Sequence, residues 1–311
     1  MPAPVVTEAA RWVAVGMRLE REAVRVTSSL TANGVPSLVF KGPVLQHWLY
    51  GAQPRPYRDI DVLVPSSRFE AARQVVESLG YQDAQQGLAR SERSEHALTM
   101  VQSSGLVVDL HRTLQGATAS GDGIWEVLSR DIGYLDLLAG SIPICSRPVQ
   151  AAVCVLHAAQ HGREESKPLE DLRRLCELAD EELLDRAVDV ALAIGARDAF
   201  ALGADLQPEL RDHLKRAEVT VRAASRLQLA RAHSAQNYPG VLTLAALSDQ
   251  PWPTRLRLAA RVLWPTTALL QERLPSDHQP GPNWLLRIRR LQYQLTQLKP
   301  ALKQFRRMTR G

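Results

Sequence analysis

Arg58-Asp59-Ile60-Asp61-Val62-Leu63-Val64 sets two carboxylates at alternate positions inside a run that otherwise has the composition of a buried strand. A charge in such a run is expensive to bury without a partner. Any fold that keeps this segment must therefore bring something positive to it. On a strand, residues i and i+2 point to the same face, so Asp59 and Asp61 are expected to project side by side. Two carboxylates that close repel one another, and a divalent metal is the economical solution. Mg²⁺ takes oxygen ligands from one or two carboxylates and completes its shell with water and substrate phosphates. For an isolated pair of acids, the competing reading is a solvated strand end.

The surroundings of the pair favour chemistry. Leu106-Val107-Val108-Asp109-Leu110-His111 is a second apolar β run with a third acid inside it. Three acids on adjacent strands can hold two metals about 3.5–4 Å apart, which stabilises both the attacking and the leaving oxygen of a phosphoryl transfer. His111 lies two residues beyond Asp109, on the same face, where it can shuttle a proton, bond a phosphate or orient Asp109. Upstream, Ser37 to Phe40 reads as a short strand ended by Lys41-Gly42, with Pro43 suited to the first turn of a helix through Tyr50. At such a strand–helix junction the backbone N–H groups favour phosphate; Gly42 permits close approach and Lys41 supplies a point charge. The order strand, Lys-Gly, helix, Asp-x-Asp strand, Asp strand is more specific than any of its parts. In the intervening loop Arg55, Tyr57 and Arg58 are candidates to reach phosphate oxygens, with Arg58, beside Asp59, preferred.

The remaining organisation follows from periodicity. Thr7 to Ala32 reads as a helix stopped by Asn33-Gly34, residues 66–79 as an amphipathic helix closed by Gly80, and 95–101 with 106–111 as a hairpin. Gly121-Asp122-Gly123 reads as a turn. After Pro148 the strand signals stop, and 148–162, 168–180, 181–194, 207–217 and 218–233 read as helices. Two further helices are expected at about 254–274 and 283–309. The expected division is an N-terminal helix (1–34), a mixed α/β (α+β) domain (35–147), a helical domain (148–250) and a basic helical C-terminal region (251–311). Hydrophobic residues at 45% and charged ones at 23% exclude a disordered, collagen-like or membrane-embedded chain.

The net charge of +5 hides an asymmetry. Residues 251–311 hold twelve Lys/Arg and two Asp/Glu, a net of +10, which leaves −5 on residues 1–250. The basic residues Arg287, Arg289, Arg290, Lys299, Lys303, Arg306 and Arg307 alternate with apolar ones and could meet nucleic acid, an anionic surface or an acidic substrate, or form a solvated face. Cys145, Cys154 and Cys176 are odd in number and lack CxxC spacing, which fits a reducing compartment. No signal peptide is expected, and no stretch reaches the ~18 uncharged apolar residues of a membrane span. The expected location is the cytoplasm.

The combination Leu38-Val39-Phe40-Lys41-Gly42, Tyr50, Arg55-Pro56 and Arg58 to Val64 resembles the bacterial uncharacterised nucleotidyltransferase-like family, within the DNA polymerase beta nucleotidyltransferase superfamily. The likeness extends through Gly80-Tyr81, His96, Asp109-Leu110-His111 and Leu156-His157-Ala158-Ala159-Gln160-His161 to Asp171-Leu172, so it covers roughly residues 35–180. The resemblance implies a minimal nucleotidyltransferase domain with a small mixed sheet, followed by a helical domain. It also implies that Asp59, Asp61 and Asp109 are catalytic and ligate Mg²⁺ or Mn²⁺, with a nucleoside triphosphate as co-substrate. Asp109 would complete the second metal site and activate the acceptor. Most members of the superfamily carry Gly-Ser at the phosphate loop; here Lys41-Gly42 stands there, and Lys41 is the expected substitute for the serine. His157, His161, Lys167 and Asp171 are implied to face the nucleotide cleft. His157 and His161, at i and i+4, share a helix face and suit zinc only with a third ligand that no motif supplies.

The acceptor implied is a small molecule or peptide bearing a hydroxyl or phosphate, in natural-product or polysaccharide biosynthesis, rather than a nucleic-acid template. Two other readings remain. One is a non-catalytic binding module that uses its basic C-terminal helix. The other is a kinase that transfers the γ-phosphoryl group from the same site.

Overall fold

The computed structural model describes residues 8–84, 96–210, 213, 241–248 and 250–263, and from 288 onward residues 288, 292, 296, 298–303, 305 and 306. The chain divides into two compact units, one of residues 1–158 with 167–221, the other of 159–166 with 222–311.

The first unit is built on a seven-stranded mixed sheet among the described residues: β1 (Leu38–Phe40), β2 (Asp59–Leu63), β3 (Tyr81–Asp83), β4 (Ala97–Gln102), β5 (Val107–His111), β6 (Gly133–Leu137) and β7 (Gly140–Ile144). Their order is β3-β4-β5-β2-β1-β7-β6. The pairs β2–β5 and β1–β7 are parallel and the others antiparallel. Among the helices, α1 (Glu8–Ala32) and α3 (Phe69–Ser78) pack together and share one core with the sheet. Leu19, Ala23, Val26 and Leu30 of α1 and Ala72 and Val76 of α3 meet Val39, Ile60, Val62, Val108, Leu110 and Met100 there. Each of the larger of these side chains, Val, Leu, Ile or Met, contributes about 1.5–3 kcal/mol when taken fully out of water.

The strand alternation follows from this core. Ile60, Val62 and Val64 belong to it, so Asp59, Asp61 and Leu63 turn to the other face; likewise Val108 and Leu110 leave Asp109 and His111 on that face. Phe40 and Leu63 are fully buried beside the acids.

The helix expected from Pro43 through Tyr50 is only partly regular. One α turn, α2 (Gly42–Leu45), opens into a π turn over Gln46–Tyr50 and stops at Gly51, whose φ is 54°. The Gln46 side chain explains the departure. Its Nε2 donates to the carbonyls of Gly51 and Gln53, and its Oε1 accepts from the Arg55 amide, so the turn is fastened to the loop that follows.

Five elements were not anticipated: β3, both strands of the β6–β7 hairpin, α4 (Gly121–Leu128) and α8 (Arg197–Ala204). Gly121-Asp122-Gly123 is the first turn of α4 rather than an isolated turn. Ser120 caps it by accepting from the Gly123 amide at 3.1 Å. Gly121 is required there by proximity, since a Cβ would lie 2.6 Å from Ser66 Cβ and 2.8 Å from the Arg112 carbonyl.

The helices expected after Pro148 begin as α5 (Arg147–His161), α6 (Ser166–Leu178) and α7 (Glu181–Ala193), with Asp180 capping α7. In the second unit, helices span Val241–Ser248 and Trp252–Leu263. Residues 218–233, and most of 207–217 and of the basic helix expected at 283–309, lie outside the described residues; Lys299, Lys303 and Arg306 are helical. No helix among the described residues is long and apolar enough to cross a membrane.

Candidate active site

The parallel register of β2 and β5 sets Asp61 directly opposite Asp109 and Leu63 opposite His111. Ligand atoms of Asp61, Asp109 and His111 all lie within 4.8 Å of one another. Asp61 is buried and Asp59 and Asp109 are half-buried. His111 Nε2 is 3.0 Å from Asp61 Oδ1, and its ring meets Phe40 edge-on with centroids 4.8 Å apart, which fixes the imidazole plane.

Lys41 ends β1, where Phe40 pairs with Asp61. Its ammonium donates to Asp61 Oδ1 at 2.9 Å. The Lys41 backbone has φ 57° and ψ −135°, the only positive φ of a non-glycine among the described residues, and Gly42 follows with φ 26°. The expected phosphate-binding cation thus rests on a carboxylate of the acidic cluster.

The electrostatics separate the acids. Burial alone would push Asp61 up, but Lys41 and the hydrogen bond and charge of His111 outweigh it and hold the carboxyl well below its ordinary value. Asp59 is pushed up, first by burial and then by the negative charges of Asp61 and Asp109, against the opposing influence of Lys167 and Lys41. Asp109 Oδ1 is buried with no hydrogen-bond partner. A divalent cation fits this donor set. Oxygen ligands converge, one buried carboxylate oxygen is unsatisfied, and the repulsion at Asp59 lacks full compensation. Asp61 and Asp109 are the residues placed to hold it, with His111 Nε2 within reach of the same position; Asp59, on the same face two residues earlier, lies outside that cluster.

Lys167 on α6 is half-buried and held below its ordinary value, first by burial and then by Arg55, while Asp59 and Asp171 oppose that shift. Asp171, one turn further along α6, is fully buried and has no surface to offer a ligand. It accepts from Arg55 Nε at 2.8 Å, Arg55 Nη2 at 2.6 Å and the Tyr50 hydroxyl at 2.7 Å. Burial would weaken the Arg55 charge, and the two-point bond to Asp171 outweighs it. Arg174 lies over the Tyr50 ring at 4.0 Å and donates to Gln53 Oε1 at 2.7 Å. The β1–β2 loop is thereby pinned to α6, and the role expected of Asp171 at the cleft is replaced by this buried one.

Other expected residues are dispersed. Arg58 is exposed, its guanidinium 5.5 Å from the centre of the Trp12 ring. His157 is half-buried on α5. His161 Nδ1 pairs with Glu165 Oε1 at 2.9 Å within the second unit. Among the described residues, the one cluster able to hold a metal is that of Asp61, Asp109 and His111, without His157 or His161. Sequence reasoning missed the burial of Arg55. Its segment is dense in loop formers, with Arg58 and Asp59 only three and four residues on, and a buried arginine there looks the same in sequence as a solvated one.

The mixed sheet gathers carboxylates from two adjacent parallel strands beside a lysine turn, an arrangement suited to metal-assisted phosphoryl transfer. The family comparison agrees: the chain belongs to the uncharacterised nucleotidyltransferase family, whose model matches residues 7–212. No curated protein matches. Among solved structures, the antibiotic-resistance factor ANT(2'')-Ia is 13% identical, with a TM-score of 0.41 over 55% of this chain and 91% of its own. The lincosamide antibiotic adenylyltransferase LnuA with lincomycin bound is 16% identical, at 0.36 over 51% and 98%. An antigenic nucleotidyltransferase-like protein from Paracoccidioides brasiliensis is 16% identical, at 0.37 over 68% and 95%.

Proposed function

We propose that this protein moves a nucleoside monophosphate from a nucleoside triphosphate to a hydroxyl or phosphate of a small-molecule or peptide acceptor, in the cytoplasm, with Mg²⁺ or Mn²⁺ as cofactor. The observation that carries the reading is the convergence of Asp61 and Asp109 from paired strands, with one buried Asp109 oxygen unsatisfied. Asp59, Asp61 and Asp109 would hold the metal. When bound, it neutralises the triphosphate and polarises the α-phosphoryl group.

The protein's own residues account for the rest. Asp109 would take the proton of an acceptor hydroxyl and orient that oxygen towards the α-phosphorus. The acceptor oxygen bonds to the α-phosphorus, the bridge to the β-phosphate breaks, and pyrophosphate leaves with the electron pair. Lys41 and Lys167 offer positive charge to the departing phosphates. His111 holds Asp61 in position. The pin from Arg55 to Asp171 keeps α6, and with it Lys167, against the loop that enters β2. Positioning and charge neutralisation supply most of the acceleration in such a reaction.

The test is incubation of the full chain with the four nucleoside triphosphates labelled at the α-phosphate, Mg²⁺ or Mn²⁺, and cell extract as acceptor source. The expected result is a labelled adduct with equimolar pyrophosphate, absent from the Asp59→Asn, Asp61→Asn double variant. Release of nucleoside diphosphate would identify γ-phosphoryl transfer instead. If no triphosphate binds at millimolar concentration, the enzyme reading is overturned.

A further inference from the structure

The carboxylate pocket already contains a cation, and it belongs to the chain. Lys41 Nζ sits 2.9 Å from Asp61 Oδ1, the same oxygen that His111 approaches at 3.0 Å. Both acceptor directions of that oxygen are therefore engaged. Asp109 Oδ1, by contrast, has no partner. The pocket is satisfied on its Asp61 side and short of positive charge on its Asp109 side.

Lys41 holds this position at the expense of its backbone. A residue with a Cβ is strained at φ 57°, ψ −135°, and such strain persists where the surroundings over-determine it, most often at functional sites. A glycine would adopt the same turn freely, so the lysine is kept for its side chain. The Lys41 side chain is 15% exposed, so it is not sealed in and has a side through which to leave. It also lies over the Phe40 ring at 5.2 Å, a second and weaker hold.

We propose that Lys41 is a displaceable counter-cation: it neutralises Asp61 while the pocket lacks metal, and transfers its ammonium from that carboxylate to the incoming phosphates when metal and nucleotide load together. This rests on the nucleotidyltransferase reading above. The consequence of this exchange is coupling. Metal alone must compete with a tethered ammonium for Asp61, whereas a metal–nucleotide complex gives that ammonium a new anionic partner. Nucleotide and metal therefore strengthen each other's binding in this protein, beyond the contact each makes with the other.

The experiment is a Mn²⁺ titration of the full chain followed by the electron paramagnetic resonance signal of the free ion. It is run without nucleotide and with a non-hydrolysable ATP analogue at matched free Mn²⁺, for wild type, Lys41→Gly and Lys41→Arg. Glycine accepts the positive φ, so this variant keeps the turn; thermal melting checks its fold. Lys41→Gly is expected to bind Mn²⁺ alone about tenfold tighter than wild type, since one adjacent positive charge is removed. Lys41→Arg stays as weak as wild type, and the analogue improves Mn²⁺ binding more in wild type than in Lys41→Gly. Equal affinity of wild type and Lys41→Gly for Mn²⁺ alone overturns the role of Lys41 and leaves the transferase reading standing. Absence of Mn²⁺ binding in all three proteins, with and without the analogue, overturns both.

Discussion

Asp61 on β2 stands directly opposite Asp109 on the parallel strand β5, while Asp59 occupies the same face two residues earlier. The three carboxylates differ in what they do for the fold. Asp61 is stabilised by Lys41 and His111, whereas Asp59 is destabilised by burial and by the other two acids. Activity and stability should therefore separate at Asp59. Asp59→Asn lowers the rate of pyrophosphate release by at least about 10²–10³-fold, the scale of removing one electrostatic group from a transition-state site. The same substitution leaves the melting temperature unchanged or raises it, because it removes repulsion. A melting temperature that falls with activity would show that Asp59 is a structural acid.

The buried pair Arg55–Asp171 behaves in the opposite way. Arg55→Ala or Asp171→Ala leaves one charge buried without its partner, which costs about 3–5 kcal/mol. Replacing both by apolar residues of similar size, as in Arg55→Met with Asp171→Leu, restores much of that loss. Chemical denaturation of the two single variants and the double variant measures it as a coupling energy. Independent, additive effects would show that the two-point bond contributes little.

Backbone strain at Lys41 can be isolated by comparing two variants that both lack the ammonium. Lys41→Gly is expected to be more stable than Lys41→Ala by about 1–2 kcal/mol, because only alanine retains a Cβ at positive φ. Equal unfolding free energies would mean that the turn relaxes once the side chain is gone.

Away from the site, Glu22 on α1 gives a pH dependence of known sign. Burial pushes its carboxyl up, but hydrogen bonds from Arg25 and from the Tyr81 hydroxyl, at 2.7 Å, outweigh this and hold it below the ordinary 4.5. The folded protein thus binds this proton less tightly than the unfolded chain does. The resulting stabilisation is complete above about pH 4.5 and is lost as pH falls through the lowered folded value. Glu22→Gln should lower stability at neutral pH and flatten its decline on acidification, as read by urea unfolding at a series of pH values. Parallel acid limbs for the two proteins would exclude Glu22 as their source.

The sheet's centre and the acids were legible because charge inside an apolar β run is a strong local contradiction, and Asp59, Asp61 and Asp109 all carry it. The β6–β7 hairpin was not legible. β6 alternates half-buried and exposed positions, with Tyr134 at 72% exposure, while β7 does not alternate, fully buries only Ile142 and carries Pro143 inside it. Gly121 misled for a different reason: its role is to let α4 approach Ser66, a contact between distant segments that no local pattern encodes. The Lys41–Asp61 and Arg55–Asp171 pairs are likewise long-range. The strand–helix junction marked Lys41 and the family resemblance marked Asp171 as ligand candidates, but only the folded chain shows which partner each has within the protein.

The alternation of β2 also guards the folding of the chain. Ile60, Val62 and Val64 face the core shared with α1 and α3, and Asp59 and Asp61 face away from it. A slip of one residue between β2 and its neighbours would exchange the two sets and drive two carboxylates into hydrocarbon. The acids thus act as a proofreading device for strand register, one that remains in force even in a copy of the protein that has lost its catalytic activity.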